Sequence, residues 1–190
     1  MISAILLAAG QSKRMKDENK LLKKIRGIPL IKHSIKNILD TLINELIIVT
    51  GHQKEVIEKI IDKNEKIKFV HNKDFESGMA SSIKTGLNNL SKNSEFFFIC
   101  LGDMPYVNKN IYEKLIEARK KNEIVVPIYK KLQGNPVLFS IRMKEKIMNI
   151  QQDSGAKKIL ELNKGKIFSV EINDFNTSKN FNTKDDFISE

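Results

Sequence analysis

What most constrains this chain is the alternation of strand-length apolar runs with amphipathic segments of helix length. "SAILLAA" (3–9) precedes "IPLIKHSIKNILD", "ELIIVTG" (45–51) precedes "KEVIEKIID", "KIKFVHN" (66–72) precedes "MASSIKTGLNNL", and "EFFFICLGD" (95–103) precedes "NIYEKLIEARKKN". "EIVVPIY" (123–129) then opens a less regular second half, with short apolar runs at "PVLF" and "KIFSVEI" and a helical "SGAKKILELN". Strands without a polar face are buried on both sides, as in a parallel sheet covered by helices. The expectation is an α/β fold: a three-layer α/β/α, Rossmann-like arrangement around a mostly parallel sheet. With 190 residues and no Ser/Gly-rich linker, repeat or low-complexity tract, residues 1–190 read as a single domain. The tail "FNTKDDFISE" is polar, but its two phenylalanines, Phe181 and Phe187, suit docking onto the body.

Composition narrows the function. Cys100 is the one cysteine, so no internal disulfide framework exists and a cytoplasmic location is expected. Its place inside an apolar run suits a small buried hydrophobe rather than a nucleophile. "MISAILLAAG" lacks a basic leader and is too short to span a bilayer, so a buried first strand is expected, and no membrane partner. The net charge of +10 raises the question of a nucleic-acid surface. Lysines, however, are interleaved with Glu and Asp at helical spacing, and the arginines are few: Arg14, Arg26, Arg119 and Arg142. That pattern describes a solvated surface, and no nucleic-acid partner is expected. His33, His52 and His71 are too scattered for a zinc site, and no G-x-S-x-G elbow marks a serine hydrolase.

In sheets of this kind ligands bind beyond the carboxyl ends of the strands, where the strand order reverses. Gly10, Gly51 and the Gly102-Asp103 pair follow the first, second and fourth strands and so converge on one edge. In "LLAAGQSKRMKDENKLL" (6–22), Ala8, Ala9 and Gly10 leave the backbone approachable, and Lys13, Arg14, Lys16 and Lys20 follow. Free amides ahead of cations suit phosphate. The stretch is neither a Walker loop, since Met15 stands where a second glycine is needed, nor a G-x-G-x-x-G fingerprint. An ordinary strand-to-helix turn with solvated lysines fits it equally well.

Asp103 follows directly on an apolar strand and therefore needs a partner. A divalent cation supplies one, and so would a lysine or the start of the helix near Asn108. In "NKDFESGMASSIKTGL" (72–87), Gly78 and Met79 precede Ser81 and Ser82 at a helix start, where serine serves as a cap or as a ligand contact. Asn135, Asn180 and Asn182 lie in irregular stretches and also read as turn residues.

Taken together and in order, "LLAAGQSKRM" with Lys20, "SGMASSIKTGL", "CLGDMPYV", "GNPVLF" and "FNTKDDF" resemble the nucleotidyltransferases that attach nucleotides to molybdopterin, the molybdenum cofactor cytidylyltransferases most nearly. The resemblance runs from residue 3 to about residue 187 and implies a glycosyltransferase-A type sheet. It also implies Mg²⁺-dependent transfer of CMP from CTP to the phosphate of molybdopterin, with release of pyrophosphate. Leu7, Ala8, Ala9 and Gly10 would then face the base and triphosphate, and Arg14 and Lys20 would neutralise phosphate oxygens. Gly78 and Ser82 would line the base and ribose pocket. Asp103 would bind Mg²⁺, with Asn182 as a second ligand. Lys20, Arg14 and Asp103 are thus the expected catalytic residues, and CTP (or GTP), molybdenum cofactor and a recipient molybdoenzyme apo-protein the expected partners.

CTP is preferred over GTP because the guanylyl-transferring relatives usually have a second glycine at Ala9, whose methyl would narrow the room for a purine. The sequence departs from the family pattern in three places. Lys16 and Asp17 occupy the loop after Met15 so that Lys20 comes one residue late, Lys184 replaces a proline, and "GNP" stands where many members have His-Pro. A cytidylyltransferase of sugar or polyol phosphates is the alternative enzyme, but that class usually carries an arginine ahead of the serine in its central block, and "GMASSIKTGL" has none. A molybdopterin or nucleotide carrier is the non-enzymatic alternative.

Overall fold

The computed structural model describes residues 1–15, 18–149, 155–183 and 185–187. One sheet organises them: β1 (Ile2–Ala8), β2 (Glu45–Thr50), β3 (Ile67–His71), β4 (Phe96–Leu101), β5 (Ile124–Tyr129), β6 (Leu132–Gln133), β7 (Val137–Ser140) and β8 (Ile167–Glu171). Its order is β3-β2-β1-β4-β7-β5-β8, with β6 folded back on β5. β1 to β4 are mutually parallel, β8 is parallel to β5, and β7 lies antiparallel between β4 and β5. The sheet is therefore mostly parallel, as the alternation predicts. The reversed β7 is an addition that a four-residue apolar run gives no sign of, because such a run fits either direction.

Both faces of the central strands β1, β2, β4 and β7 are buried for the reason anticipated, while the edge strands β3 and β8 are only partly covered. On one face Ala4, Leu6 and Ala8 of β1 pack with Leu46, Ile48, Phe98 and Cys100 beneath α1 (Leu30–Leu39), α2 (Lys54–Ile60) and α4 (Lys109–Glu117). On the other, Ile5 packs with Ile47, Val49, Phe97 and Ile99 beneath α3 (Met79–Asn88), α5 (Lys144–Met148) and α6 (Gly155–Leu162). Phe97, Phe98 and Phe139 are fully buried, each contributing about 1.5–3 kcal/mol of transfer free energy. Helix α3 comes unusually near β1, because a Cβ at Gly86 would stand 2.4 Å from the Ile5 Cγ2 atom. Only glycine allows that approach.

The C-terminal tail docks. Phe181 is wholly buried and meets Tyr106 and Phe187 edge-on, at ring-centroid distances of 5.7 and 5.0 Å. Cys100 lies in the core against the Tyr112 hydroxyl, and burial pushes its thiol up to about 12, so it carries no nucleophilic chemistry at neutral pH. Among the described residues no helix is long and apolar enough to cross a membrane.

Candidate active site

The sheet register sets the site. β1 pairs with β4 from Ile2 opposite Phe96 to Leu7 opposite Leu101, and the Gly102 amide continues the ladder by donating to the Leu7 carbonyl at 3.1 Å. Asp103 thus emerges beside the Ala8–Gly10 backbone, where the strand order turns back on itself. Its loop is tied down from three sides. Ser34 of α1 donates to the Gly102 carbonyl at 3.1 Å, Asn37 of α1 donates to the Pro105 carbonyl at 2.7 Å, and the Phe181 amide of the tail donates to the Asp103 carbonyl at 2.9 Å. A carboxylate held this way needs little reorganisation when a ligand arrives.

A cleft of about 780 Å³ opens at this edge. The ten residues to which the family resemblance gives roles all line it: Leu7, Ala8, Ala9, Gly10, Arg14, Lys20, Gly78, Ser82, Asp103 and Asn182. At its polar corner the Lys20 ammonium lies 2.5 Å from Asp103 Oδ2 and donates to Asn182 Oδ1 at 2.9 Å, while Arg14 Nη2 reaches the same Asn182 oxygen at 3.4 Å. Residues 83 and 162 positions apart from Lys20 in sequence meet there. Of the three partners open to Asp103, the structure shows the lysine. The α4 cap is supplied by Asn108, whose Oδ1 accepts from the Ile111 amide. The extra residue ahead of Lys20 does not keep it from the cleft. Its amide donates to the Ser12 hydroxyl at 3.1 Å, and Ser12 itself adopts the left-handed region with φ of 53°. Lys16, Asp17 and Lys184 lie outside the described residues.

At the opposite end, Gly78 has φ of 108° and begins α3. Ser82 is buried and its hydroxyl accepts from Asn72 Nδ2 at 3.0 Å, while Ser81 points back to the Gly78 and Asp74 carbonyls. Neither serine caps the helix, which leaves Ser82 positioned by Asn72 at the cleft wall.

Gly51 stands at the expected edge but not in the cleft, because Phe75 covers it: a Cβ there would meet Phe75 Cβ at 2.6 Å and the Ala9 methyl at 2.8 Å. Phe75, Ser12, Met79, Asn135 and Asn180 also line the cleft. Met79, Asn135 and Asn180 read in the sequence as helix-start or turn residues; of the other two, Phe75, a lone aromatic in a polar turn just ahead of Gly78, carries the only signal.

The matched family is the MobA-like NTP transferase domain, over residues 4–167. This chain belongs to that family. The molybdenum cofactor cytidylyltransferase of Escherichia coli (strain K12) is 30% identical over 188 residues, covering 98% of this chain and 94% of that protein. A probable molybdenum cofactor guanylyltransferase of Methanosarcina acetivorans is 27% identical over 154 residues, 79% of this chain and 67% of the relative. The fold is shared with Rv0371c from Mycobacterium tuberculosis H37Rv at a TM-score of 0.86 and 21% identity, covering 98% of this chain and 94% of that one. A manganese complex of the same protein matches at 0.80 and 18%, over 98% and 95% of the two chains. As a MobA-like NTP transferase the protein is a nucleotidyltransferase.

Proposed function

We propose that this nucleotidyltransferase moves CMP from CTP to the phosphate of molybdopterin, with Mg²⁺, and releases pyrophosphate. The observation that carries this reading is the meeting of Arg14, Lys20, Asp103 and Asn182 at one corner of a cleft whose other wall is bare backbone at Ala8–Gly10 and Gly78. Asp103 Oδ2 and Asn182 Oδ1 both lie within 2.9 Å of one positive centre, the Lys20 ammonium. Two hard oxygen donors aimed at a single point fit a divalent cation that takes its remaining ligands from water and phosphate. Mg²⁺ held by Asp103 and Asn182 would supply charge neutralisation for the triphosphate.

The chain's own residues do the rest. Lys20 and Arg14 neutralise charge growing on the α-phosphoryl oxygens and the departing pyrophosphate, and the amides after β1 add oriented dipoles. An acceptor phosphate oxygen forms a bond to the α-phosphorus as the bond from that phosphorus to the bridging oxygen of pyrophosphate breaks, the electron pair leaving with pyrophosphate. The acceptor is already ionised at neutral pH, so no strong general base is required, and positioning carries most of the rate. The preference for CTP is supported by the full-length likeness to the Escherichia coli cytidylyltransferase. It draws little from the Ala9 methyl, which packs against Gly51.

Thermal unfolding in the presence of CTP, GTP, ATP or UTP, each with and without Mg²⁺, tests the nucleotide. A ligand at about 100 times its dissociation constant stabilises by roughly 2.7 kcal/mol. A rise confined to CTP with Mg²⁺ is expected. A rise confined to GTP would move the assignment to guanylyl transfer, and no rise with any nucleotide would contradict it.

A further inference from the structure

Asn182 belongs to a surface tail, yet its carboxamide reaches the same point as Asp103, so something must hold it there. Phe181 fixes one side by burial and by its backbone amide, which donates a hydrogen bond to the Asp103 carbonyl. On the other side a single oxygen, Asp186 Oδ2, accepts from the Asn182 amide at 2.8 Å, the Thr183 amide at 2.8 Å and the Thr183 hydroxyl at 3.0 Å.

The bond to the Thr183 amide is the returning half of a capping box, in which a residue three positions on reaches back to the first amide of a turn. A capping box alone would serve only the short 3₁₀ turn Asp185–Phe187. The bond to Asn182 lies one residue outside that box and grips the backbone from which the site carboxamide springs. An ionised acceptor makes short, strong bonds to amides, and these bonds in turn hold the Asp186 carboxyl below the usual carboxylate range.

We infer that Asp186 is a positioning residue: it clamps the Asn182 backbone so that the Asn182 carboxamide completes the cation site with Asp103. The inference rests on the metal reading proposed above. Asp186 is not among the residues that line the cleft, and acts through Asn182. Removing groups that orient a metal ligand typically weakens metal binding about 10- to 100-fold.

The test is Mn²⁺ binding followed by electron paramagnetic resonance on the whole chain with saturating CTP and no acceptor, so that turnover plays no part. Four proteins are compared, each also melted: wild type, Asp186→Ala, Asp186→Glu and Thr183→Ala. Expected are a rise of about 10-fold or more in the Mn²⁺ dissociation constant for Asp186→Ala, recovery of most of that loss in Asp186→Glu, and near wild-type affinity in Thr183→Ala, which loosens the turn but leaves the Asn182 bond. Wild-type affinity in Asp186→Ala would overturn the inference. So would equal losses in Asp186→Ala and Thr183→Ala that follow their melting temperatures, since that marks a purely structural role. A wild type that takes up no Mn²⁺ in the presence of CTP would instead remove the metal reading itself, and the inference with it.

Discussion

Asp103→Ala is expected to lower the rate of nucleotidyl transfer by about 10³-fold while the protein stays folded. The size follows from what the carboxylate would do: it is the one anionic group among the described residues at the polar corner of the cleft, and so the main donor for a cation facing the triphosphate. Deleting one such preorganised electrostatic contact costs roughly two to three orders of magnitude in turnover. The fold tolerates the change because the loop is held through its backbone, by Ser34, Asn37 and the Phe181 amide. Breaking the pair with Lys20 costs something between an exposed and a buried ion pair, about 1–3 kcal/mol, since the two side chains retain 13% and 18% of their exposure. Steady-state kinetics alongside a melting curve checks both halves. Wild-type turnover in the variant would displace Asp103 from the site.

Lys20→Ala is expected to lose about 10²- to 10³-fold in kcat/KM for the nucleotide, through loss of a cation that would face the departing phosphates. One further readout separates it from Asp103→Ala. The Lys20 ammonium bonds both Asp103 Oδ2 and Asn182 Oδ1, so it would compete with the proposed cation for both oxygens. Mn²⁺ affinity in the absence of nucleotide is therefore expected to rise in Lys20→Ala and to fall in Asp103→Ala. Metal binding that changes in the same direction in both would mean that Lys20 and the cation do not share the point.

Asp103 and Lys20 both line the cleft, and that placement is where the sequence was most legible. Asp103 was legible because a carboxylate directly after an apolar strand has no solvation of its own, and Lys20 because it follows a glycine-ended strand through a run of cations. The alternation of "SAILLAA", "ELIIVTG" and "EFFFICLGD" with helical segments carried the three layers and the edge where ligands collect, since both faces of each strand had to be buried. Three things were beyond it. The reversed direction of β7 comes from its place between β4 and β5, which "VLFS" does not encode. The covering of Gly51 by Phe75 and the reach of Asn135 and Asn180 into the cleft arise from loops whose paths depend on long-range contacts, such as the Asn135 amide on the Thr177 carbonyl at 2.7 Å. Asp186 has no sign of its own within the polar tail, because its three bonds exist only once the turn at Thr183 has formed.

Family membership makes the chain a nucleotidyltransferase, and the central claim beyond it is CMP transfer to molybdopterin. The most direct measurement is pyrophosphate release from CTP and Mg²⁺, with and without molybdopterin, with the product mass determined in the same samples. The account predicts pyrophosphate only when the acceptor is present, in one-to-one ratio with a product heavier by one CMP. Tight CTP binding with no pyrophosphate and no mass increase would contradict it.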